Sequence, residues 1–238
     1  TIGQSPRTLD FNIILCFLRT LKISDFMRKI TDIYKEYKIM PNLQEHMFRV
    51  AGVASLICDN FNESFNKKDI IIACLLHDIG NIIKFDLNYF PELNKPEGLE
   101  YWQNVQNEYI KNYGKNEYVA NTKIAHKIGV SEWVLELINS ISFLGAPSNV
   151  LDRDFAKKIV SYSDERVNPF GVVSLEQRFV DLGKRYVNHS SHTFERNTYE
   201  NALREIEKQI FSKCKIKPED INDDSVKLQM EKLKDFEI

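Results

Sequence analysis

The chain has 238 residues, with 32 Lys and Arg against 34 Asp and Glu and a formal net charge of −2. Hydrophobic residues at 43% and charged residues at 28% are enough to bury a full core, which excludes disordered and fibrous classes. The 9 Gly and 7 Pro disfavour a turn-rich all-β fold, and the missing cationic surplus excludes general nucleic-acid coating while leaving room for a local basic pocket.

In chain order, the stretch from Leu9 to Leu18 is the only candidate targeting segment. Asp10 and Asn12 interrupt it and it is too short to span a bilayer, so it reads as an N-terminal element packed on the domain. From Pro41, Leu43, Met47, Val50, Ala54, Ile57 and Phe61 recur at steps of four and three, one apolar stripe on a long helix with Asn42 and Glu45 suited to its capped start. Asn66 with Asp69 looks like the cap of a second helix, which carries the run Ile70 to Leu76 and is expected to continue to Lys84 enclosed by others. Residues 85–98 hold Pro91, Pro96 and Gly98 and form an irregular site wall or lid. Helices are then expected over 99–113, 117–128, 131–142 and 152–167, followed by a break at Asn168-Pro169-Phe170-Gly171. Ser174 and Gln177 suit a capping box that opens a helix toward Asn188. A last pair covers 197–213 and 218–235, with Pro218 in its first turn. No repeat or low-complexity tract occurs.

The four cysteines, Cys16, Cys58, Cys74 and Cys214, form no C-x-x-C pair and lie among apolar neighbours. They read as reduced, packed thiols of a cytoplasmic protein.

Chemistry concentrates at few positions. His77 and Asp78 end the most apolar run in the chain, where an unpaired titratable group costs several kcal/mol, roughly, unless a partner or a metal compensates it. His46 lies at the edge of its helix's apolar stripe, and Asp164 follows Val160 by four on another largely apolar helix. Each alone has an ordinary reading, as a core-edge histidine, a buried His–carboxylate pair or an ion-pair partner of Arg166 or Lys157. Together, two imidazoles and two carboxylates from three helices suit a divalent metal with open positions, unlike the sulfur-rich shell of structural zinc.

The pattern H…HD…D, here His46, His77-Asp78 and Asp164 in the contexts H-M-F-R-V-A and A-C-L-L-H-D-I-G, resembles the HD-domain superfamily of metal-dependent phosphohydrolases, over roughly residues 40–167. The resemblance implies an all-α bundle with a metal between its helices, hydrolysis of phosphate mono- or diesters, and His46, His77, Asp78 and Asp164 as ligands, Asp78 also orienting the attacking water. A metal would lower the pKa of bound water and polarise the phosphoryl group. Many members carry Lys or Glu where this chain has Asn81, which can act as neither general acid nor base. On a helix continuing past His77, Asn81 and Lys84 would share its stripe, placing Lys84 as a phosphate-binding and catalytic charge. Arg49, three after His46, is a second candidate for phosphate. Arg166 is a third, although its offset of two from Asp164 turns it away on a regular helix.

One divalent ion (Mn, Co, Ni, Fe, Mg or Zn) is expected, because His126 is the only histidine between the two aspartates and reads as a surface or packing residue. His189 and His192 lie in a polar stretch and read as a solvated loop. Tyr89, Phe90, Tyr101 and Trp102 flank the irregular segment and suit base stacking or core packing equally. The expectation is one all-α chain, with a helical element over 1–39, an HD core over 40–167 and a helical extension over 168–238. The extension could complete the core, roof the pocket or make a homodimer. The expected activity is hydrolysis of a small phosphorylated metabolite, favouring a nucleotide, with no membrane association. Its rivals are a phosphodiesterase on cyclic nucleotides or RNA ends, and a catalytically idle HD module that binds a nucleotide or a partner.

Overall fold

A computed structural model describes residues 28–64, 66–185 and 193–238; the Leu9–Leu18 segment, Cys16, His189 and His192 fall outside them. The described residues form α1 (Ile30–Glu36), α2 (Pro41–Asn60), α3 (Lys67–Leu76), α4 (Leu99–Tyr113), α5 (Glu117–Ile128), α6 (Glu132–Ser140), α7 (Ala146–Leu151), α8 (Phe155–Glu165), α9 (Leu175–Arg185), α10 (Thr193–Phe211) and α11 (Asp223–Leu233). Short 3-10 turns occupy Asn81–Lys84, Pro91–Asn94 and Pro218–Asp220, and a hairpin of β1 (Val167–Asn168) and β2 (Gly171–Val172) is the one sheet among the described residues. The fold is all-α, and no described helix is long and apolar enough to cross a membrane.

The stripe expected on α2 is buried, with Leu43, Met47, Val50, Ala54 and Ile57 at 4% exposure or less. Burying each large aliphatic side chain stabilises by about 1.5–3 kcal/mol, which fixes this face inward. The helix packs against α3, α8 and α11, and α11 comes close at Gly52, where an added Cβ would lie 3.2 Å from Met230 Cγ. All residues from Ile70 to Leu76 in α3 are buried, as expected of an enclosed helix, and α3 contacts α2, α6 and α8.

Local signals explain many boundaries. Asn116 Oδ1 accepts from the Val119 amide at 2.9 Å to start α5, and Gly129, at φ 93°, ends it. Ser174 and Gln177 form the expected reciprocal box at 2.9 and 3.2 Å. Other expectations need correction. No side chain of Asn42 caps α2, whose N-cap is Met40 and whose first turn opens on Pro41. The break after Asp164 pairs Val167 with Val172 as a hairpin, and the unexpected α7 fills part of the 141–152 connection. The helix expected over 218–235 starts only at Asp223, because Asn222 and Ser225 cap it reciprocally at 3.0 and 2.9 Å.

The most consequential correction concerns α3, which stops at Leu76. A continuing helix would offer the Cys74 carbonyl to the amide four residues on, but the His77 ring takes that carbonyl through Nδ1 at 2.8 Å. The chain then turns tightly, Ile79 N bonding Leu76 O at 3.2 Å and Asn81 N bonding Asp78 O at 2.9 Å. At Gly80 it presses on α5, where an added Cβ would lie 2.7 Å from Ala120 Cβ.

Candidate metal centre

Three elements converge on one polar cluster: α2 contributes His46, the turn after α3 contributes His77 and Asp78, and the last turn of α8 contributes Asp164. His46 Nε2 lies 3.0 Å from Asp164 Oδ1 and 3.7 Å from Asp78 Oδ2. His77 Nε2 lies 3.3 Å from Asp164 Oδ1 and 3.7 Å from Asp78 Oδ1. Ligand atoms about 2.1 Å from one ion stand roughly 3.0–3.4 Å apart at right-angled to tetrahedral geometry, so the Asp164 spacings of 3.0 and 3.3 Å fit a shared cation and those to Asp78, at 3.7 Å, lie just beyond it. His46, His77 and Asp78 each offer a ligand atom within 4.8 Å of the others, and Asp164 Oδ1 touches both imidazoles.

His77 carries the clearest sign that something further belongs here. Its side chain is 2% exposed; Nδ1 faces a carbonyl and must donate to it, while Nε2 is buried and makes no hydrogen bond. A backbone carbonyl on one ring nitrogen, with the other turned toward carboxylates and free of a hydrogen bond, is how metal-binding imidazoles are held. Without an ion, burial alone would lower the His77 pKa, but the Asp78 and Asp164 carboxylates outweigh it and raise it to about 9. Burial alone would likewise raise Asp164, yet the His46 and His77 imidazoles hold it well below the usual carboxylate range. A divalent cation supplies the positive charge this arrangement favours. With two nitrogen and two oxygen donors and no thiolate, the residues fit an ion that keeps positions open for small ligands.

The other expected site residues fall in different places. Arg49 is mostly buried one turn beyond His46, bonded to Glu45 at 2.6 Å and lying 3.7 Å from Asp223. Lys84 closes the 3-10 turn, largely solvent-accessible, 3.8 Å from Glu117. Because α3 ends before His77, neither Asn81 nor Lys84 continues a helical stripe from it. Asn81 is buried, its Oδ1 3.5 Å from Asn121 Nδ2, while Asn121 Oδ1 accepts from the Gly80 amide at 2.6 Å. Arg166 departs furthest from expectation. It is 2% exposed; its guanidinium donates to the carbonyls of Val173 at 2.5 Å, Pro218 at 3.2 Å and Ile221 at 3.0 Å and to the Tyr162 hydroxyl. Those partners belong to the hairpin, α8 and the C-terminal segment, so Arg166 binds elements of the fold together. His126 is exposed on α5.

Two groups escaped the sequence reading. Glu165, next to Asp164, is buried against Arg178, 3.4 Å away, and consecutive acids ending a largely apolar helix are the signal that could have found it. Asn42, one turn before His46, keeps a buried Oδ1 with no hydrogen-bond partner. Its i, i+4 relation to a candidate ligand was the available clue.

Comparison with known proteins supplies a relative and a family. An uncharacterized protein of Clostridium beijerinckii is 29% identical over 104 residues, covering 43% of this chain and 60% of that protein. No solved structure matches the chain. The family model of the HD domain matches residues 43–163, about half of the chain, ending one residue before Asp164. It takes in His46, His77 and Asp78, three of the four groups gathered at the centre, and the chain belongs to the HD domain family.

Proposed function

We propose that this HD domain protein is a metal-dependent phosphohydrolase acting on a small phosphorylated metabolite, with a nucleotide the favoured substrate. HD domains are generally metal-dependent hydrolases; the substrate and the residue roles below are our reading. The observation that carries it is the buried, unbonded Nε2 of His77 within a set of two imidazoles and two carboxylates spaced 3.0–3.7 Å apart. His46, His77, Asp78 and Asp164 would hold one divalent ion, Mn, Co, Ni, Fe, Mg or Zn. Such an ion supplies Lewis-acid polarisation of a phosphoryl oxygen and a water of lowered pKa.

The chain's own groups do the rest. The Asp78 side chain, 22% exposed against 2% for His77, is the ligand most open to solvent and orients the attacking water through its second carboxylate oxygen. The Cys74 carbonyl fixes the His77 ring. Arg49, on the face of α2 that carries His46, and Lys84, at the end of the following turn, offer positive charge to the phosphate oxygens as negative charge develops. Arg166 is left out of this set because its donors are engaged within the fold.

Purified protein assayed on a panel of phosphate mono- and diesters with each added metal tests the reading. Metal-dependent turnover that is lost in Asp78→Ala, with unchanged circular dichroism, is the expected outcome. Turnover retained in that variant overturns the mechanism, and a diester-only profile moves the assignment to a phosphodiesterase. Asn81, turned toward Asn121 with no acid or base in its place, favours one alternative, an idle module that binds without turning over. Bound metal or ligand with no hydrolysis across the panel would establish it.

A further inference from the structure

Two chain segments leave the metal centre in opposite directions and meet again. One follows His77-Asp78 through the 3-10 turn into residues 85–98; the other follows Asp164 into the β1–β2 hairpin, whose tip is six residues on. Phe90 of the first and Phe170 at the tip of the second stand with ring centroids 5.7 Å apart and planes at 88°, and Tyr89 packs edge-on to Phe90 at 4.6 Å and 86°. Despite these contacts, Phe170 remains 61% and Tyr89 54% exposed. Of the other two rings expected to serve either stacking or packing, Trp102 is 2% exposed and donates to the Asn94 carbonyl at 3.1 Å, so it belongs to the core, and Tyr101, 41% exposed, packs edge-on against it at 4.8 Å.

Both supports of the exposed rings are well tied. Asn168 Oδ1 accepts from the Phe170 and Gly171 amides at 2.9 Å each. The hairpin is held by Arg166 through Val173 and by Asp223, whose Oδ1 accepts from the Val172 amide at 3.1 Å. The same Asp223 oxygen lies 3.7 Å from Arg49, and both strands pack on α2, the helix of His46. On the other side, Asn94 is buried and donates to the Leu87 carbonyl at 2.7 Å, and the Tyr89 amide bonds Asp86 O at 3.0 Å. Exposed rings on fixed supports lose little conformational entropy when a flat apolar partner covers them.

We propose that Tyr89, Phe90 and Phe170 form an aromatic clamp that stacks the nucleobase of a nucleoside monophosphate whose phosphate lies at the metal centre. The inference rests on the phosphohydrolase reading for the phosphate end and adds a specificity determinant for the other. Each ring presents a face that is indifferent to which base covers it, so the clamp selects for a planar aromatic group and discriminates weakly among bases.

The test is calorimetric binding to the full chain loaded with manganese, using as probes the phosphonate analogues of adenosine monophosphate and ribose 5-phosphate, which the proposed hydrolysis cannot cleave and which take their parents' names below. They share the phosphate and the sugar and differ by the base. Expected are tenfold or tighter binding of adenosine monophosphate, a rise of about tenfold in its Kd in Phe170→Ala, with a similar rise in Tyr89→Ala, and near-normal binding in Phe170→Trp. Ribose 5-phosphate should be affected far less by either alanine substitution. Equal affinity for the two probes, loss of both alike, no change in Phe170→Ala, or no binding of either probe overturns the clamp; in the last case an exposed aromatic patch for a protein partner becomes the better account. Because binding is read and not turnover, an idle but nucleotide-binding module would satisfy this test while failing the hydrolysis panel, which separates the two failures.

Discussion

Asp164, Glu165 and Arg166 are consecutive, yet they belong to two clusters of buried polar groups that differ in kind. On one side, Asp164 joins His46, His77 and Asp78, a set that leaves His77 Nε2 buried without a hydrogen bond. On the other, Glu165 faces Arg178, and Arg166 donates to three carbonyls and the Tyr162 hydroxyl, which itself donates to Glu207 at 2.6 Å. Burying a polar group without a partner costs about 1–3 kcal/mol, a cost the fold also carries at the Ser161 and Ser163 hydroxyls of α8. The difference teaches that an unbonded buried atom separates the candidate site from the scaffold only where it stands among candidate ligands, as His77 Nε2 does among two carboxylates and a second imidazole.

The sharpest way to break this contrast is to exchange the expected consequences. His77→Ala removes the unbonded ligand, and the expected result is loss of stoichiometric metal, measured by elemental analysis after dialysis, with activity down by a factor of about a thousand or more. Removing the ring also strips the Cys74 carbonyl of its donor, so the apo variant should be less stable than the unsubstituted apo protein. Undiminished metal content would remove His77 from the centre.

Arg166→Ala should do the opposite. It strips two buried and two half-buried acceptors of their charged donor, and removing one partner of such a network costs about 3–5 kcal/mol. Denaturant unfolding should show that loss, while any folded fraction binds metal with unaltered stoichiometry. A variant of normal stability with weakened phosphate binding would restore Arg166 to the substrate-binding role that its place in the sequence suggested.

How far the sequence carries the reader follows the same division. The boundaries of α4 and α5 were legible because Gly98, Gly114, Asn116 and Gly129 act locally. The candidate ligands were legible because titratable residues interrupt apolar periodicity, a conflict that shows in one dimension. The end of α3 was not, since it depends on the His77 ring taking the Cys74 carbonyl, and a helical pattern gives no notice of a side chain that competes with the next amide. Arg166 was misread for a related reason. Its carbonyl partners in the C-terminal segment, Pro218 and Ile221, lie more than fifty residues downstream, and backbone carbonyls carry no residue-type signature. The hairpin was expected only as a break because its two strands are two residues each, too short for an alternating pattern to register.

The smallest expected effect tests the contrast from its least obvious member. Asn42 Oδ1 is a buried acceptor without a partner one turn before His46, so by the reasoning applied to His77 it belongs to the site and not to the scaffold. Asn42→Leu keeps a similar size and removes the orphan, and it should leave the unfolding free energy unchanged or raise it by about 1 kcal/mol. The acceptor for a substrate hydroxyl would then be lost, giving a severalfold rise in KM for a ribose phosphate, while p-nitrophenyl phosphate, which has no such hydroxyl, keeps its KM. A drop in stability of about 1 kcal/mol or more with both KM values unchanged would place Asn42 with Arg166, among the groups that hold the fold. It would show that an unbonded atom beside a ligand is not enough to mark a residue as part of the site.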